Sequence, residues 1–473
     1  MKPQHILMFM LAIAVAVAVL MLIFPADGIK LGNINVHFSY KVVEADTNST
    51  NYSNIIQAIN QPIININDTL PPVDTVQTAR QPDSGPAQTT LATAGSKASV
   101  KTKPAAASRR AIEWESASEH PLDQFFGQLR NCNSRKVRIL HYGDSQIEGD
   151  RITGYLRNLI QTHFGGSGPG LMPTVPPVAK SSAITHTASD GWQVHSIYNR
   201  RDTVQHGCRY GIMGRYAQFA GSEAWIEFAP SAQAYRSVRN FTQCNVYYGA
   251  ESGFSVKGFV DGGLRWFEEI EPSAETRRFQ WTFDNAPGTF RIEVEADDSP
   301  VFYAISLDSP TGVAVDNLPF RGSIGTEFVR LDLAQMKQMA RYLQVGLIVY
   351  QFGVNAVAYD LRNYNFYENN LRKQLRYLKK IWPRASILVI SSSDMSERSD
   401  KGYVTKPSVI KVIEAQQNAA FAEGCAFWNL YEAMGGYNSM PVWVDNNLAR
   451  KDYTHFNRTG GHKVAQMLYD ALM

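Results

Sequence analysis

The chain has 473 residues, 44% of them hydrophobic, more than one core uses, so two or three globular units are expected. Its 46 basic and 43 acidic residues leave a net charge of +3, and no basic run stands out, which gives little electrostatic ground for nucleic-acid binding. Four cysteines exclude a disulfide scaffold, and without CxxC or HExxH spacing no zinc site is expected.

The first element is a 19-residue uncharged apolar run from Ile6 to Phe24. As a helix it would span about 28 Å, close to the hydrocarbon thickness of a bilayer. It ends in Phe24-Pro25-Ala26-Asp27, a poor cleavage site, and no cysteine follows. Residues 1–29 are therefore read as an uncleaved signal anchor. Lys2 places the N-terminus inside and the rest of the chain in the periplasm or outside the cell. Residues 30–112 are rich in Asn, Thr, Pro, Ala, Ser and Gln and predict a flexible, disordered tether. Weak alternation at Ile34, Val36, Phe38 and Tyr40 suggests one short strand there.

From residue 135 the signals become α/β. Strands are predicted at Val137–Tyr142, Val345–Tyr350, Ser386–Ile390 and Ala426–Leu430. A helical pattern follows Ser145 through Ile147, Ile152, Tyr155 and Leu159, and others cover Glu327–Leu343, Phe366–Ile381, Ser408–Glu423 and Gly461–Leu472. Strands alternating with helices predict a parallel sheet covered on both faces, with ligands beyond the carboxyl ends of its strands. Residues 113–175 and 309–473 are assigned to this domain. Between them, residues 176–308 carry short alternating stretches such as Ala224-Trp-Ile-Glu-Phe and Phe290-Arg-Ile-Glu-Val, separated by turns. That pattern predicts an inserted β-sandwich. Cys208 and Cys244 fall inside it and Cys132 and Cys425 outside, so two intradomain disulfides are open, with pairing undetermined.

Four places carry chemistry. Gly143-Asp144-Ser145 puts a serine between a strand end and a helix start, with its own N–H at the positive helix terminus, which suits a nucleophile whose reaction builds an oxyanion. Asp and Ser are also common helix caps, so the motif alone does not decide. In Asp452-Tyr453-Thr454-His455 the spacing lets the carboxylate hold one imidazole nitrogen and free the other to take the serine proton. Only His455 and His462 lie beyond residue 206, and His462 falls in the final helix pattern. A Gly322 N–H and the Asn355 side-chain amide could join the Ser145 N–H in an oxyanion hole, although each residue also suits an ordinary turn.

Together these pieces, in this order, resemble the SGNH or GDSL-type hydrolases. That resemblance implies a three-layer α/β/α, flavodoxin-like fold, with Ser145 as nucleophile, His455 as base, Asp452 as its orienter, and Ser145, Gly322 and Asn355 as oxyanion-hole donors. Gln146 stands where the name motif has leucine, a departure read as minor. Gly312 and Gly325 compete with Gly322, which is preferred because it lies 33 residues before Asn355. The inserted sandwich and the phrase His141-Tyr-Gly-Asp-Ser-Gln-Ile-Glu-Gly-Asp150 resemble the peptidoglycan O-acetylesterases, whose insert is similar to a carbohydrate-binding module. The implied partner is an acetylated polysaccharide such as peptidoglycan, cleaved through an acetyl-serine with no metal or cofactor. Trp192, Trp225, Trp266 and Trp281 are candidate sugar-stacking residues, each also accounted for by the sandwich core. An O-acetyltransferase with the same triad, a non-catalytic glycan-binding envelope protein, and a lipid or aryl esterase remain alternatives.

Overall fold

The computed structural model describes residues 29–31, 34–36, 52–60, 111–115, 119–198, 207–400 and 402–473. It divides into two units, 1–50 and 51–473. In the first, β1 (Ile29–Leu31) and β2 (Ile34–Val36) form an antiparallel hairpin. The expected anchor at Ile6–Phe24 lies outside the described residues. Among those described, no helix is long and apolar enough to cross a membrane.

The second unit begins within the expected tether, at α1 (Tyr52–Asn60). Nine residues make too short a helix to persist alone. Ile55 and Ala58 are buried, and Ile55 joins the core that holds Met434 and Trp443. The chain then runs through β3 (Ile112–Glu113), α2 (Asp123–Leu129), β4 (Lys136–Gly143) and α3 (Thr153–Phe164). Eleven strands follow, interrupted only by the single turn α4 (Arg236–Arg239): β5 (Gly170–Met172), β6 (Ile184–Ala188), β7 (Trp192–Ser196), β8 (Arg215–Phe219), β9 (Glu223–Pro230), β10 (Gln243–Ala250), β11 (Phe254–Val260), β12 (Gly263–Ile270), β13 (Ser273–Thr282), β14 (Phe290–Glu295) and β15 (Val301–Asp308). Next come β16 (Gly312–Pro319), α5 (Leu333–Ala340), β17 (Val345–Gln351), α6 (Val354–Val357), α7 (Asn365–Ile381), β18 (Ser386–Ile390) and the hairpin β19 (Ser396–Ser399) with β20 (Gly402–Thr405). The chain closes with α8 (Ser408–Ala422), β21 (Ala426–Trp428), α9 (Leu430–Met434), α10 (Ser439–Asp445) and α11 (Arg458–Leu472).

The α/β sheet has the order β16-β4-β17-β18-β21-β3, parallel except for β3 at one edge. Alternate strand residues face opposite layers. Leu140, Ile348 and Val389 pack with Leu371, Leu375 and Val412 of α7 and α8. Ile139, Leu347 and Leu388 pack with Leu156 of α3 and Val464 and Leu468 of α11. The sheet is therefore covered by helices on both faces, as predicted. From β4 the chain goes to β16 on one side, then through α5 to β17 on the other. That reversal opens a crevice at the carboxyl end of β4.

The inserted strands form two antiparallel sheets, β13-β10-β15-β8-β7 with β5 on β15, and β12-β11-β14-β9-β6. Their core holds Phe228, Val246, Trp281, Phe290 and Ile305. The insert starts earlier than residue 176, because Gly170–Met172 pairs with Ile305–Leu307 and ties its entry strand to its exit strand.

Two differences have clear causes. The helix expected at Glu327–Leu343 is split, because Asp332 accepts Gln335 N–H at 2.7 Å and caps a new helix start. Neither of the two possible disulfides is formed by the four cysteines. Cys132 and Cys425 belong to cores on opposite faces of the sheet, and Cys244 sits in the sandwich core while Cys208 packs against another.

A buried ionic knot joins sheet and sandwich. Arg138 on β4, 1% exposed, donates to both Asp316 oxygens at 2.6 and 2.8 Å and also to Asp308. Lys136 bonds the other Asp308 oxygen, and Asp316 accepts the Leu171 N–H at 2.8 Å. Burial works against the Arg138 charge, but the two aspartates outweigh it and raise its pKa. Removing one partner of a buried pair leaves uncompensated charge, a loss of about 3–5 kcal/mol. Arg138→Met should lose that amount in urea unfolding, and adding Asp308→Asn and Asp316→Asn should restore part of it.

Candidate active site

The turn that carries Ser145 is built by the end of β4. Asp144 is buried, donates its N–H to Gln351 O at 3.2 Å, and accepts Gln146 N–H at 2.9 Å. The amides of Gly353 and Val354 also point at its carboxylate. One side chain thus ties the serine turn to the Asn355 turn. Burial raises its pKa to about 7, against the opposing pull of those amides.

The sequence places Ser145 at a helix N-terminus, and the structure does not. The residues after it form a turn and a 3-10 segment, Glu148–Asp150, and α3 begins only at Thr153. Arg151 holds the turn instead, donating to the carbonyls of Ser145 at 2.8 Å and Gln146 at 3.1 Å.

Ser145 Oγ lies 2.8 Å from His455 Nε2, and His455 Nδ1 lies 2.9 Å from Asp452 Oδ2. The other Asp452 oxygen accepts the N–H groups of Thr454 and His455 at 3.0 and 2.9 Å. Partial burial would raise the Asp452 pKa, but these amide and imidazole bonds hold it below the ordinary carboxylate range. An ionised Asp452 fixes the proton on Nδ1 and leaves Nε2 to accept from Ser145. Tyr453 between them sits in the left-handed region (φ 52°) and stacks on Tyr403 of β20, ring centroids 3.5 Å apart.

Gln146, read from the sequence as a minor departure, is 2% exposed and clamps the histidine loop. Its Nε2 donates to Thr454 O at 2.7 Å and its Oε1 accepts Phe456 N–H at 3.2 Å, so it grips the residues on both sides of His455. A leucine could do neither. The signal available in the sequence was its place directly after the serine.

Asn355 lies in α6, just beyond β17, and donates Nδ2–H to Ser323 O at 2.9 Å. Gly322 lies in the loop after β16, which is held beside the serine turn by Phe320 N–H on Gly143 O at 2.7 Å. Its φ of 80° favours glycine, while a Cβ there would meet nothing within 4 Å. The N–H groups of Ser145 and Gly322 have no hydrogen-bond partner among the described residues. The competing glycines serve packing: Gly312 abuts Gly166 at the amino end of β16, and Gly325 abuts Tyr350 and Phe352.

Other expectations resolve similarly. His141 is buried between Gln351 and Thr153, each 2.9 Å away, and burial lowers its pKa to about 4. His462 stacks on Tyr155, a packing role. None of the four tryptophans is an exposed platform. Trp281 is buried, Trp266 stacks on it, Trp192 packs edge-on against Phe219 and Phe302, and Trp225 carries the Arg291 guanidinium over its ring.

No protein-family model and no curated protein matches the chain. Among solved structures, a peptidoglycan O-acetylesterase captured in action superposes with a TM-score of 0.61 at 20% identity, over 76% of this chain and 95% of that one. The chain shares that enzyme's fold. The likeness expected from the sequence therefore holds for the architecture, insert included. A family two carbohydrate esterase from Cellvibrio japonicus aligns at TM-score 0.24 and 10% identity, over 61% and 97% of the two chains. One from Clostridium thermocellum in complex with cellohexaose gives 0.26 and 9%, over 60% and 98%. Neither overlap is close enough to carry fold or function.

Two predictions follow from this geometry. Gln146→Leu should lower kcat about tenfold or more by loosening His455, with KM little changed, in steady-state hydrolysis of a small acetyl ester. The Asp144 pKa lies above that of an unfolded aspartate, about 3.9. The folded chain therefore binds more protons across roughly pH 4 to 7, and the Asp144 contribution to stability is whole below that window and lost as pH rises through it. Relative to Asp144→Asn, the wild type should lose ground in urea midpoint between pH 4.5 and 7.5. A difference independent of pH would refute this assignment.

Proposed function

We propose that the protein is a carboxylic-ester hydrolase that removes O-acetyl groups from a cell-envelope polysaccharide, with peptidoglycan as substrate and Ser145, His455 and Asp452 as its triad. The observation that carries the reading is the continuous bond chain from Ser145 Oγ through the His455 ring to Asp452, at 2.8 and 2.9 Å. It lies at the carboxyl edge of a parallel sheet, where ligands bind. The fold shared with a peptidoglycan O-acetylesterase supports the substrate class. The apolar run Ile6–Phe24 supports a membrane-tethered enzyme whose head works outside the cytoplasm.

Ser145 Oγ attacks the acetyl carbonyl carbon as its proton passes to His455 Nε2. The carbonyl oxygen becomes an oxyanion and accepts hydrogen bonds from Ser145 N–H, Gly322 N–H and Asn355 Nδ2–H. The intermediate collapses, and the sugar oxygen leaves with the proton from His455. Water then attacks acetyl-Ser145, its proton goes to His455, and acetate departs as Oγ regains a proton. Asp452 stays ionised and supports the imidazolium in both halves.

Acetate release from O-acetylated peptidoglycan and from acetylated xylan tests the reading. The full chain should release acetate from peptidoglycan, and Ser145→Ala and His455→Ala should abolish it. Asn355→Ala should lower kcat about 10²- to 10³-fold with KM nearly unchanged. Release from xylan alone would keep the esterase and reject the peptidoglycan assignment. Turnover only when an acceptor sugar is added would assign acetyl transfer instead.

A further inference from the structure

Beside the nucleophile turn lies a cavity of about 280 Å³ between the α/β sheet and the sandwich. Both modules wall it: Glu148 and Asp150 from the turn after Ser145, Pro319 and Arg321 from the end of β16, Met172 of β5, and Arg215 at the start of β8. Arg321 is the neighbour of Gly322, so the cavity adjoins the oxyanion loop.

The charges in its wall do not cancel. Asp150 pairs with Arg157 at 3.0 Å. Glu148 lies 3.6 Å from Arg321. Among the described residues, the Arg215 side chain has no hydrogen-bond or ion-pair partner, and its Nε is buried. Glu148 acts on it through space without forming an ion pair. The Tyr198 hydroxyl, which also acts on Arg215, is likewise buried without a partner. A largely buried guanidinium normally keeps a carboxylate, because desolvated charge without a counter-charge is costly. Here the unspent charge faces a cavity whose remaining wall is largely apolar and includes the turn that follows Ser145.

We infer that this cavity is a specificity subsite for a carboxylate-bearing arm of the acetylated sugar, with Arg215 as its charge partner. The inference rests on the esterase reading and names the substrate group that reading leaves open. Muramic acid carries such an arm, a lactyl ether whose carboxyl is free or extended by a peptide that itself bears carboxylates. Chains of N-acetylglucosamine or unsubstituted xylose carry none. A guanidinium receiving a carboxylate in a partly dry pocket makes two charge-assisted bonds at once. Arg215 would thereby sort acidic acetylated sugars from neutral ones, while the triad treats both alike.

The test measures binding rather than turnover. In full-length Ser145→Ala, N-acetylmuramic acid, N-acetylmuramoyl-dipeptide and N-acetylglucosamine are titrated and followed by NMR. The acidic sugars should bind about tenfold tighter than the neutral one or better. Arg215→Met should erase that ratio and Arg215→Lys should keep part of it. Tighter binding of the dipeptide than of muramic acid would place the carboxylate on the peptide, and the reverse would place it on the lactyl group; both support the subsite. Arg215→Met should also unfold at an equal or higher temperature, since it removes an unpaired charge, whereas a structural arginine would lower the midpoint. Equal binding of all three sugars, or a ratio that survives Arg215→Met, overturns the inference. Failure of the esterase reading would appear separately, as intact sugar preference in a wild type that releases no acetate.

Discussion

Arg138 carries the constraint on which the rest of the molecule turns. It is the third residue of β4, fully desolvated, and holds one aspartate from the neighbouring strand β16 and one from the sandwich strand β15. The pairing of β4 with β16 runs without a slip from Lys136 opposite Gly312 to Gly143 opposite Pro319. A shift of one residue would turn Asp316 to the other face and part its buried charge from Arg138. The carboxyl ends of these two strands carry the Ser145 turn and the Gly322 loop. A register fixed by one guanidinium therefore also fixes the relation between the Ser145 hydroxyl and the groups proposed to receive the oxyanion. Buried ion pairs often add little net stability, and specification of a single register is the service this one renders.

The residues of the proposed triad and the groups around them come from distant parts of the chain, and each is held by more than one partner. Asp144 accepts amides from its own turn and from the Asn355 turn. Gln146 grips the histidine loop on both sides, and Asp452 spends one oxygen on its own backbone and the other on the ring. The β19–β20 hairpin braces the same loop through the Tyr403 stack and the Ser396 N–H on Tyr453 O at 3.1 Å. Preorganisation of this kind costs no rearrangement when charge develops.

Much of this was legible in the sequence where hydrophobic pattern and backbone agreed. Val345–Gln351 and Ser386–Ile390 are continuous apolar runs, as buried parallel strands should be, and the helices at 365–381 and 408–422 kept their period. The Asp452–His455 spacing gave the ring its orienting carboxylate. β16 was missed because Asp316 and Asn317 interrupt its pattern and Gly312 and Pro319 bound it. Asp316 is buried for the knot, and the half-buried Asn317 accepts a bond from Thr153 at 2.8 Å. Gln146 was undervalued because the loop it grips, at Thr454 and Phe456, lies more than 300 residues away. α1 was hidden by the polar sequence around its few apolar residues. The helix expected directly at Ser145 failed because Gly149 and Asp150, both with positive φ, delay it until Thr153.

The pairing of β5 with β15 also bears on how such a chain can fold at all. β4 and β16 are neighbours in the sheet, yet 176 residues separate their partnered positions, as from Lys136 to Gly312. Closing so long a loop is an entropic burden and slows non-local pairing. The insert shortens it. Its strands pair among themselves, and its entry and exit strands lie side by side, so a sandwich that forms first acts as a clip on the chain. Only residues 144–169, α3 among them, and 309–311 then remain between β4 and β16, which lowers the closure cost by about 1.5 kcal/mol. The module that interrupts the α/β sheet in sequence is thus the one that brings its two halves within reach of each other.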